Sequence, residues 1–163
     1  QAHHLKVNNI ELMLDLDPKL PKTMADFHQI QQVFMNIINN AEQAIIETSK
    51  EGKLIIKTQK TGSMIRISFA DNGLGIPEEN INRIFDPFFT TKEVGKGTGL
   101  GLSICYGLVE AHSGRIYVQS KLGHGATFVV EIPLISENQL VSEAAPLKLG
   151  SRGAAWKKTK EQY

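Results

Sequence analysis

Cysteine and net charge are both scarce in this sequence of 163 residues. Its single cysteine, Cys105, cannot form a disulfide within the chain, and its apolar surroundings favour a small buried core residue. The formal net charge is +1, and the basic residues do not cluster in the body of the chain. These features argue against a binding surface for nucleic acid or for an anionic membrane.

Long apolar runs are also missing. No segment approaches the roughly 18 apolar residues that a membrane span requires, and the polar N-terminus has no signal-peptide pattern. We therefore expect a cytoplasmic domain, with any membrane attachment made only through other regions of a longer protein.

The order of predicted elements indicates one domain over residues 1–135. The elements are an edge strand at 10–16, a helix from 26 to about 48, a hairpin of 53–59 and 64–71, a loop from 72 to about 98 with one short helical stretch, a helix at 99–113, and a hairpin of 115–121 and 126–132. Asp26 and Gln29 form a capping-box pattern, and Gly114 suits the left-handed position after the last helix.

This order predicts a two-layer α/β (α+β) sandwich, with a mixed, mostly antiparallel sheet covered on one face by helices. After residue 135 the apolar pattern fades. Residues 136–163 are interpreted as a disordered tail, a linker or a cloning remnant.

A stripe of amides follows the first predicted helix, on Gln32, Asn36, Asn40 and Gln43. Their spacing of four, four and three residues puts them on one helical face, beside the apolar face. Asparagine inside a helix costs about 0.5 kcal/mol or more relative to alanine, so a function should offset that cost. Amide oxygens suit Mg²⁺, although a merely polar face remains an alternative.

Asp71 ends a predicted strand on the same parity as Ile65, Ile67 and Phe69, so its carboxylate should point into the core. An unpaired buried carboxylate is costly, and a ligand amine could relieve it by donating a hydrogen bond. Gly73 and Gly75 would then let the backbone approach that ligand. On this segment alone, an ordinary turn is the competing interpretation.

Four alternate glycines, at 95, 97, 99 and 101, lead into the second predicted helix. Such a loop can direct backbone N–H groups and a helix N-terminus at phosphates. It is neither a Rossmann fingerprint nor a P-loop, because the third glycine of G-x-G-x-x-G and the G-x-x-x-x-G-K-[ST] pattern are both absent. A phosphate site here must belong to another architecture.

These segments resemble the Bergerat nucleotide-binding fold of the GHKL superfamily, which DNA gyrase, the ninety-kilodalton heat-shock chaperone, MutL and the histidine kinases share. The resemblance covers roughly residues 5–135. Residues 36–41 are similar to the N box, 71–77 to the first glycine box, 85–92 to the F box of histidine kinases, 95–103 to the second glycine box and 123–128 to the last box. All five boxes appear in the family's order.

The resemblance implies an ATP or ADP site with Mg²⁺ on Asn40, the adenine amino group on Asp71, and a mobile ATP lid at 85–98. Lys92 and Lys96 would reach the γ-phosphate, and Asn36 and Lys92 would be the catalytic residues. The nucleotide-binding residues implied are Asn36, Asn40, Gln43, Asp71, Gly73, Gly75, Ile76, Thr90, Thr91, Lys92, Lys96, Gly97, Thr98, Gly99, Leu100, Gly101, Leu102 and Thr127.

The implied partners are a histidine-bearing dimerisation domain of the same kinase and the receiver domain of a response regulator. None of the five histidines in this sequence is followed by a pattern like the family's H-E-x-x-N-P phosphoacceptor box. The acceptor helix is therefore expected elsewhere in the parent protein.

The sequence is compatible with three functions. The first is phosphoryl transfer from ATP to a histidine on another domain. The second is ATP hydrolysis as in gyrase or MutL, where a glutamate precedes the metal-binding asparagine by four residues; Asn36 holds that position here and cannot act as a base. The third is an ATP-sensing module without catalysis, against which the complete set of boxes argues.

Overall fold

A five-stranded sheet forms the centre of the fold, in the order β1-β2-β3-β5-β4. The structure, a computed structural model, describes Leu5 and residues 8–48, 51–92 and 97–135. The strands are β1 (Ile10–Asp15), β2 (Gly52–Thr61), β3 (Met64–Asp71), β4 (Arg115–Ser120) and β5 (Ala126–Pro133). β1 is an edge strand and runs parallel to β2, whereas the other neighbours are antiparallel. The mixed, mostly antiparallel sheet predicted from the sequence is confirmed.

Helices cover one face of this sheet, as predicted. They are α1 (Phe27–Ile46), the short α2 (Glu78–Ile81) after Pro77, and α3 (Gly101–Ala111). α1 and α3 pack against each other and against the strands. In the part of the chain that the structure describes, no helix is long and apolar enough to cross a membrane.

The predicted cap of α1 is present at Asp26. Its Oδ1 accepts hydrogen bonds from the N–H groups of His28 at 2.9 Å and Gln29 at 3.0 Å, as an N-cap residue should. The backbone N–H of Asp26 does not bond to Gln29 in a reciprocal capping box; it donates to Nε2 of His112 at 3.0 Å. The cap therefore also joins the start of α1 to the end of α3.

α1 ends at Ile46, slightly earlier than predicted. The carbonyl oxygen of Ile45 accepts hydrogen bonds from both the N–H and the hydroxyl of Thr48, at 2.9 Å and 2.7 Å. This tight local pairing replaces the helical pattern at that point.

The core lies between the helices and the inner face of the sheet. β3 alternates strictly, with Ile65, Ile67, Phe69 and Asp71 buried and the intervening residues half-buried. Cys105 is fully buried, which confirms it as a core residue. The other fully buried side chains of the core include Val33, Ile37, Leu54, Phe69, Val109 and Val130.

The end of α3 differs from the prediction. The helix stops at Ala111, and Ser113 takes the left-handed conformation with φ 53°. Gly114 is required for a different reason. A β-carbon there would lie 2.4 Å from the carbonyl oxygen of Glu131, so α3 could not join β4 this close to β5 with a larger residue.

Two glycines at α3 therefore provide a matched test of packing. Gly107 lies within α3, and a β-carbon there would meet no other atom within 4 Å. Because alanine favours the helix more than glycine does, Gly107→Ala should raise the free energy of unfolding by about 0.5 to 1 kcal/mol. Gly114→Ala should lower it by roughly 1 to 3 kcal/mol, because it forces a backbone shift. Urea unfolding measures both, and equal effects of the two substitutions would contradict this packing.

Candidate functional site

A cavity of about 420 Å³ opens between α1, the loop after β3 and the start of α3. Its volume lies in the range of small-molecule sites, about 300 to 1,000 Å³. Part of the wall is apolar and part carries amides, hydroxyls, one carboxylate and one ammonium. The lining residues are Asn40, Gln43, Asp71, Gly75, Ile76, Pro77, Asn80, Ile84, Phe89, Thr90, Thr91, Lys92, Gly97, Thr98, Gly99, Gly101, Leu102, Ala126 and Phe128.

Asp71 is the buried carboxylate of this wall. It is 9% exposed, and its Oδ1 accepts hydrogen bonds from the backbone N–H groups of Gly73 at 2.9 Å and Ala126 at 3.3 Å. Burial raises the pKa of Asp71 above its ordinary value, and these two hydrogen bonds oppose that rise. The backbone thus fixes one oxygen of a carboxylate that still lacks the solvation of an exposed one.

The glycines around Asp71 allow backbone segments to meet. Gly75 has φ +73°, and a β-carbon there would lie 2.2 Å from the carbonyl oxygen of Lys121. Gly125 has φ +83°, and a β-carbon there would lie 2.0 Å from the carbonyl oxygen of Asp71. Likewise, a β-carbon on Gly73 would lie 2.7 Å from the carbonyl carbon of Ala44. Protein backbone thus occupies the places that side chains at Gly73 and Gly75 would take, and Gly75 also lines the cavity, where a ligand was predicted beside it.

The amide stripe of α1 divides between two tasks. Asn40 and Gln43 line the cavity. Asn36 does not; its Nδ2 donates to the carbonyl oxygen of Gly101 at 3.2 Å, which ties α1 to the first residue of α3.

The Cys105 thiol next to Asn36 stays protonated. Burial raises its pKa to about 11, although a hydrogen bond with Asn36 acts to lower this pKa.

The predicted lid segment of 85–98 is tied near its start to the residue that follows its end. The N–H of Phe88 donates to the carbonyl oxygen of Gly99 at 3.0 Å. Both residues are left-handed, with φ 66° at Phe88 and 65° at Gly99. A β-carbon on Gly99 would lie 2.4 Å from the carbonyl carbon of Phe88, so only glycine fits there.

Lys92 projects from this segment into the cavity. Its Nζ donates to Oε1 of Gln43 on α1, and its backbone N–H donates to the hydroxyl of Thr90 at 3.2 Å. The start of α3 also faces the cavity through Gly101 and Leu102, and no side chain caps this helix. Free N–H groups at a helix N-terminus attract anions.

Most of the predicted site residues lie together at this cavity. Four of them, Asn36, Gly73, Leu100 and Thr127, are not among its lining residues, and Lys96 lies outside the described residues. Thr127 pairs with Ala70, and it alternates with Ala126 and Phe128, so its side chain is on the opposite face of the sheet.

Six lining residues were not among the predicted nucleotide-binding residues: Pro77, Asn80, Ile84, Phe89, Ala126 and Phe128. The alternation of β5 contained a signal for two of them, since Phe128 pairs with Phe69 and shares the parity of Asp71. Asn80 lies in the short helix α2, Ile84 lies just after it, and Phe89 lies in the F-box segment, where no periodicity marks which residues face the cavity. Within the described ranges, no cluster of three or more His, Cys, Asp or Glu could hold a metal ion.

Comparison with known proteins identifies the family of this chain. A family model described as "Histidine kinase-, DNA gyrase B-, and HSP90-like ATPase" matches residues 25–136, which include every lining residue. The chain belongs to this family. It is 37% identical over 130 residues to the sensor protein FixL of Bradyrhizobium diazoefficiens, covering 80% of this chain and 25% of FixL. It is 44% identical over 126 residues to the kinase AtoS of Escherichia coli, and this match covers 77% of this chain and 20% of AtoS. The chain thus spans a quarter or less of these relatives.

Solved structures narrow the family to histidine kinase catalytic domains. The catalytic domain of the histidine kinase ThkA is 36% identical, with a TM-score of 0.70 and coverage of 81% of this chain and 85% of that domain. Full-length ShkA in complex with AMPPNP is 28% identical, with a TM-score of 0.71, and the match covers 83% of this chain and 28% of ShkA. ThkA in complex with the response regulator TrrA is 32% identical, with a TM-score of 0.67, and the match covers 82% of this chain and 37% of that ThkA chain. The chain is a histidine kinase catalytic domain with the Bergerat fold.

Asp71→Asn tests the electrostatics of this kinase domain. The raised pKa means that the ionised carboxylate weakens the folded state, with a penalty absent below the ordinary value of 3.8 and complete above the raised pKa. Asparagine keeps an oxygen for Gly73 and Ala126 but cannot ionise. At about pH 7 the variant should be as stable as the parent or more stable, and this advantage should shrink as pH falls.

Urea unfolding at several pH values measures the difference in the free energy of unfolding. A variant that is less stable than the parent at neutral pH, with no change of the difference on acidification, would contradict the assignment of a desolvated carboxylate.

Proposed function

We propose that this domain binds Mg·ATP and transfers the γ-phosphoryl group to a histidine on a separate dimerisation domain, in two-component signal transduction. The observation that carries the proposal is the buried Asp71 carboxylate in a cavity whose wall also holds Lys92 and the uncapped start of α3. A carboxylate that accepts and a positive surface that attracts anions match the two ends of an adenine nucleotide.

The base would bind at Asp71. Both backbone hydrogen bonds described above fall on Oδ1, which leaves Oδ2 for a donor in the cavity. The amino group of adenine is such a donor, and Ile76, Phe128 and Ala126 offer an apolar surface to the ring. A charge-assisted hydrogen bond of this kind contributes roughly 1.5 to 3 kcal/mol.

The phosphates would bind where positive charge and free N–H groups converge. Gly97, Gly99 and Gly101 line this wall without side chains, and Lys92 supplies the cation. Gln43 holds the ammonium of Lys92 inside the cavity, through the hydrogen bond to its Oε1. Lys96 would add a second cation in this part of the family pattern.

The amide of Asn40 suits Mg²⁺. It lines the cavity from α1, and a neutral hard oxygen is a ligand that this ion accepts while it keeps water and phosphate oxygens in its other positions. When bound, the ion would neutralise phosphate charge. Asn40 itself would fix the ion, and Gln43 and Lys92 would orient the terminal phosphate.

Transfer is favoured over hydrolysis by the position of Asn36. Its amide cannot act as a general base, and it is engaged with the carbonyl oxygen of Gly101. In the transfer, the bond from the γ-phosphorus to the bridging oxygen breaks, a bond to the histidine nitrogen forms, and ADP leaves. The proton on the imidazole would go to a base on the partner domain.

Phosphoryl transfer requires two partners, a histidine-bearing domain and a response regulator. The acceptor helix belongs to a longer parent protein, since the curated relatives extend well beyond this domain. ThkA has been solved with the response regulator TrrA, which supports a receiver domain as the next phosphoryl acceptor here. Because ATP is the cytoplasmic phosphoryl donor, we place this domain in the cytoplasm.

Asn40→Ala tests the metal site. Removing the amide should abolish most of the enhancement of nucleotide affinity that Mg²⁺ gives, while the fold persists because Asn40 is off the buried face of α1. Calorimetry with ADP, with and without Mg²⁺, measures the enhancement. Gln32→Ala is a matched control, because Gln32 is on the same stripe but does not line the cavity. An equal Mg²⁺ enhancement in Asn40→Ala and the parent would show that the metal is held elsewhere.

Phosphoryl transfer itself is tested by reconstitution. With labelled ATP, the isolated domain should bind nucleotide, incorporate no acid-labile phosphate and hydrolyse ATP very slowly. Addition of the histidine-bearing domain of its parent protein should restore transfer at a reduced rate, because the covalent link and its effective concentration are missing. Lys92→Ala should then lower the transfer rate more than nucleotide affinity.

Lys60→Ala is the control for loss of a lysine charge, because Lys60 is exposed near the hairpin turn. Brisk hydrolysis by the domain alone, or labelling of one of its own histidines, would overturn the proposal in favour of a self-sufficient enzyme.

A further inference from the structure

Ser120 joins two walls of the cavity through one hydroxyl group. It is the last residue of β4, is half-buried, and pairs with Ala126 across the sheet. Its Oγ accepts a hydrogen bond from the N–H of Ile76 at 2.8 Å and donates one to the carbonyl oxygen of Gly125 at 2.7 Å. The loop after β3 is thereby fastened to the turn before β5.

Both fastened segments reach the carboxylate of Asp71. Ile76 lines the cavity, and Ala126, which follows Gly125, lines it and donates its N–H to Oδ1 of Asp71. Gly125 contacts the backbone of Asp71 so closely that a β-carbon would lie 2.0 Å from its carbonyl oxygen. A change in the position of Gly125 would therefore displace the donor that fixes the carboxylate.

A hydroxyl suits this position because it donates and accepts at the same time. Alanine would leave the N–H of Ile76 and the carbonyl group of Gly125 without this partner. Threonine would retain the hydroxyl. The neighbouring backbone contact, in which the N–H of Gly123 donates to the carbonyl oxygen of Leu74 at 2.6 Å, joins the same two segments without a side chain. The fold can thus persist without Ser120, while the cavity loses its alignment.

We propose that Ser120 is a positioning residue for nucleotide binding, whose hydroxyl sets the spacing between Ile76 and the Gly125–Ala126 segment and so directs the Asp71 carboxylate at the base. The inference rests on the proposed function, because it takes the cavity to be the nucleotide site. Ser120 itself touches no ligand in this scheme; it acts through Asp71 and Ile76.

The test compares Ser120→Ala, Ser120→Thr and Ser68→Ala by calorimetry with Mg·ADP. Ser68 is a matched control, since it is a half-buried serine on the outer face of β3 and does not line the cavity. Ser120→Ala should raise the Kd about tenfold, the loss expected for a displaced charge-assisted hydrogen bond. Ser120→Thr and Ser68→Ala should stay within about threefold of the parent.

Two further readouts separate positioning from a merely structural role. Hydrogen exchange at the Ile76 amide, without nucleotide, should quicken in Ser120→Ala and remain slow in Ser120→Thr. In the Asp71→Asn background, Ser120→Ala should change the Kd by less than about threefold, because the two substitutions remove the same interaction with the base.

A Kd for Ser120→Ala that matches the parent, or an undiminished effect in the Asp71→Asn background, would overturn the positioning role and leave the proposed function standing. Failure of the unsubstituted domain to bind Mg·ADP would overturn both proposals together.

Discussion

The site depends on one carboxylate that is buried at the end of a strand. Asp71 continues the apolar parity of β3, so the sheet itself carries its side chain to the inner face. The N–H groups of Gly73 and Ala126 offset part of the cost of burial, and the close approach of Gly125 to the Asp71 backbone accompanies the hydrogen bond from Ala126. A carboxylate whose desolvation is only partly offset in the folded state is suited to accept a hydrogen bond from a ligand.

A second constraint is the joining of α1 to α3 at both ends of their contact. Asn36 holds the first residue of α3, and His112 near its end accepts from the backbone of Asp26. The uncapped N-terminus of α3 is thus held at the cavity, where its free N–H groups can serve an anion. Lys92, whose ammonium donates a hydrogen bond to Gln43, adds a positive charge to the same cavity. Backbone donors and a cation at one cavity suit phosphoryl transfer, in which positioning and charge neutralisation dominate.

Much of this arrangement could be predicted from the sequence where a periodic pattern carries it. The parity of β3 placed Asp71 correctly, and the stripe on α1 placed Asn40 and Gln43 at the cavity. Contacts between distant backbone segments could not be predicted from the sequence, because no periodic pattern marks them. The sequence does not show that the backbone of Ala44 and Lys121 lies where side chains at Gly73 and Gly75 would be. Ser120 carries no motif of its own, and its two bonds depend on how two loops meet.

The most direct test of the account compares ATP with inosine triphosphate, in which a carbonyl oxygen replaces the amino group of adenine. If Asp71 accepts from that amino group, the parent domain should bind ATP about tenfold or more tightly than inosine triphosphate. Asp71→Asn should narrow the difference, because an amide can turn to donate to the carbonyl oxygen. Equal affinity of the parent for the two nucleotides, or an unchanged preference in Asp71→Asn, would contradict the claim that this buried carboxylate recognises the base.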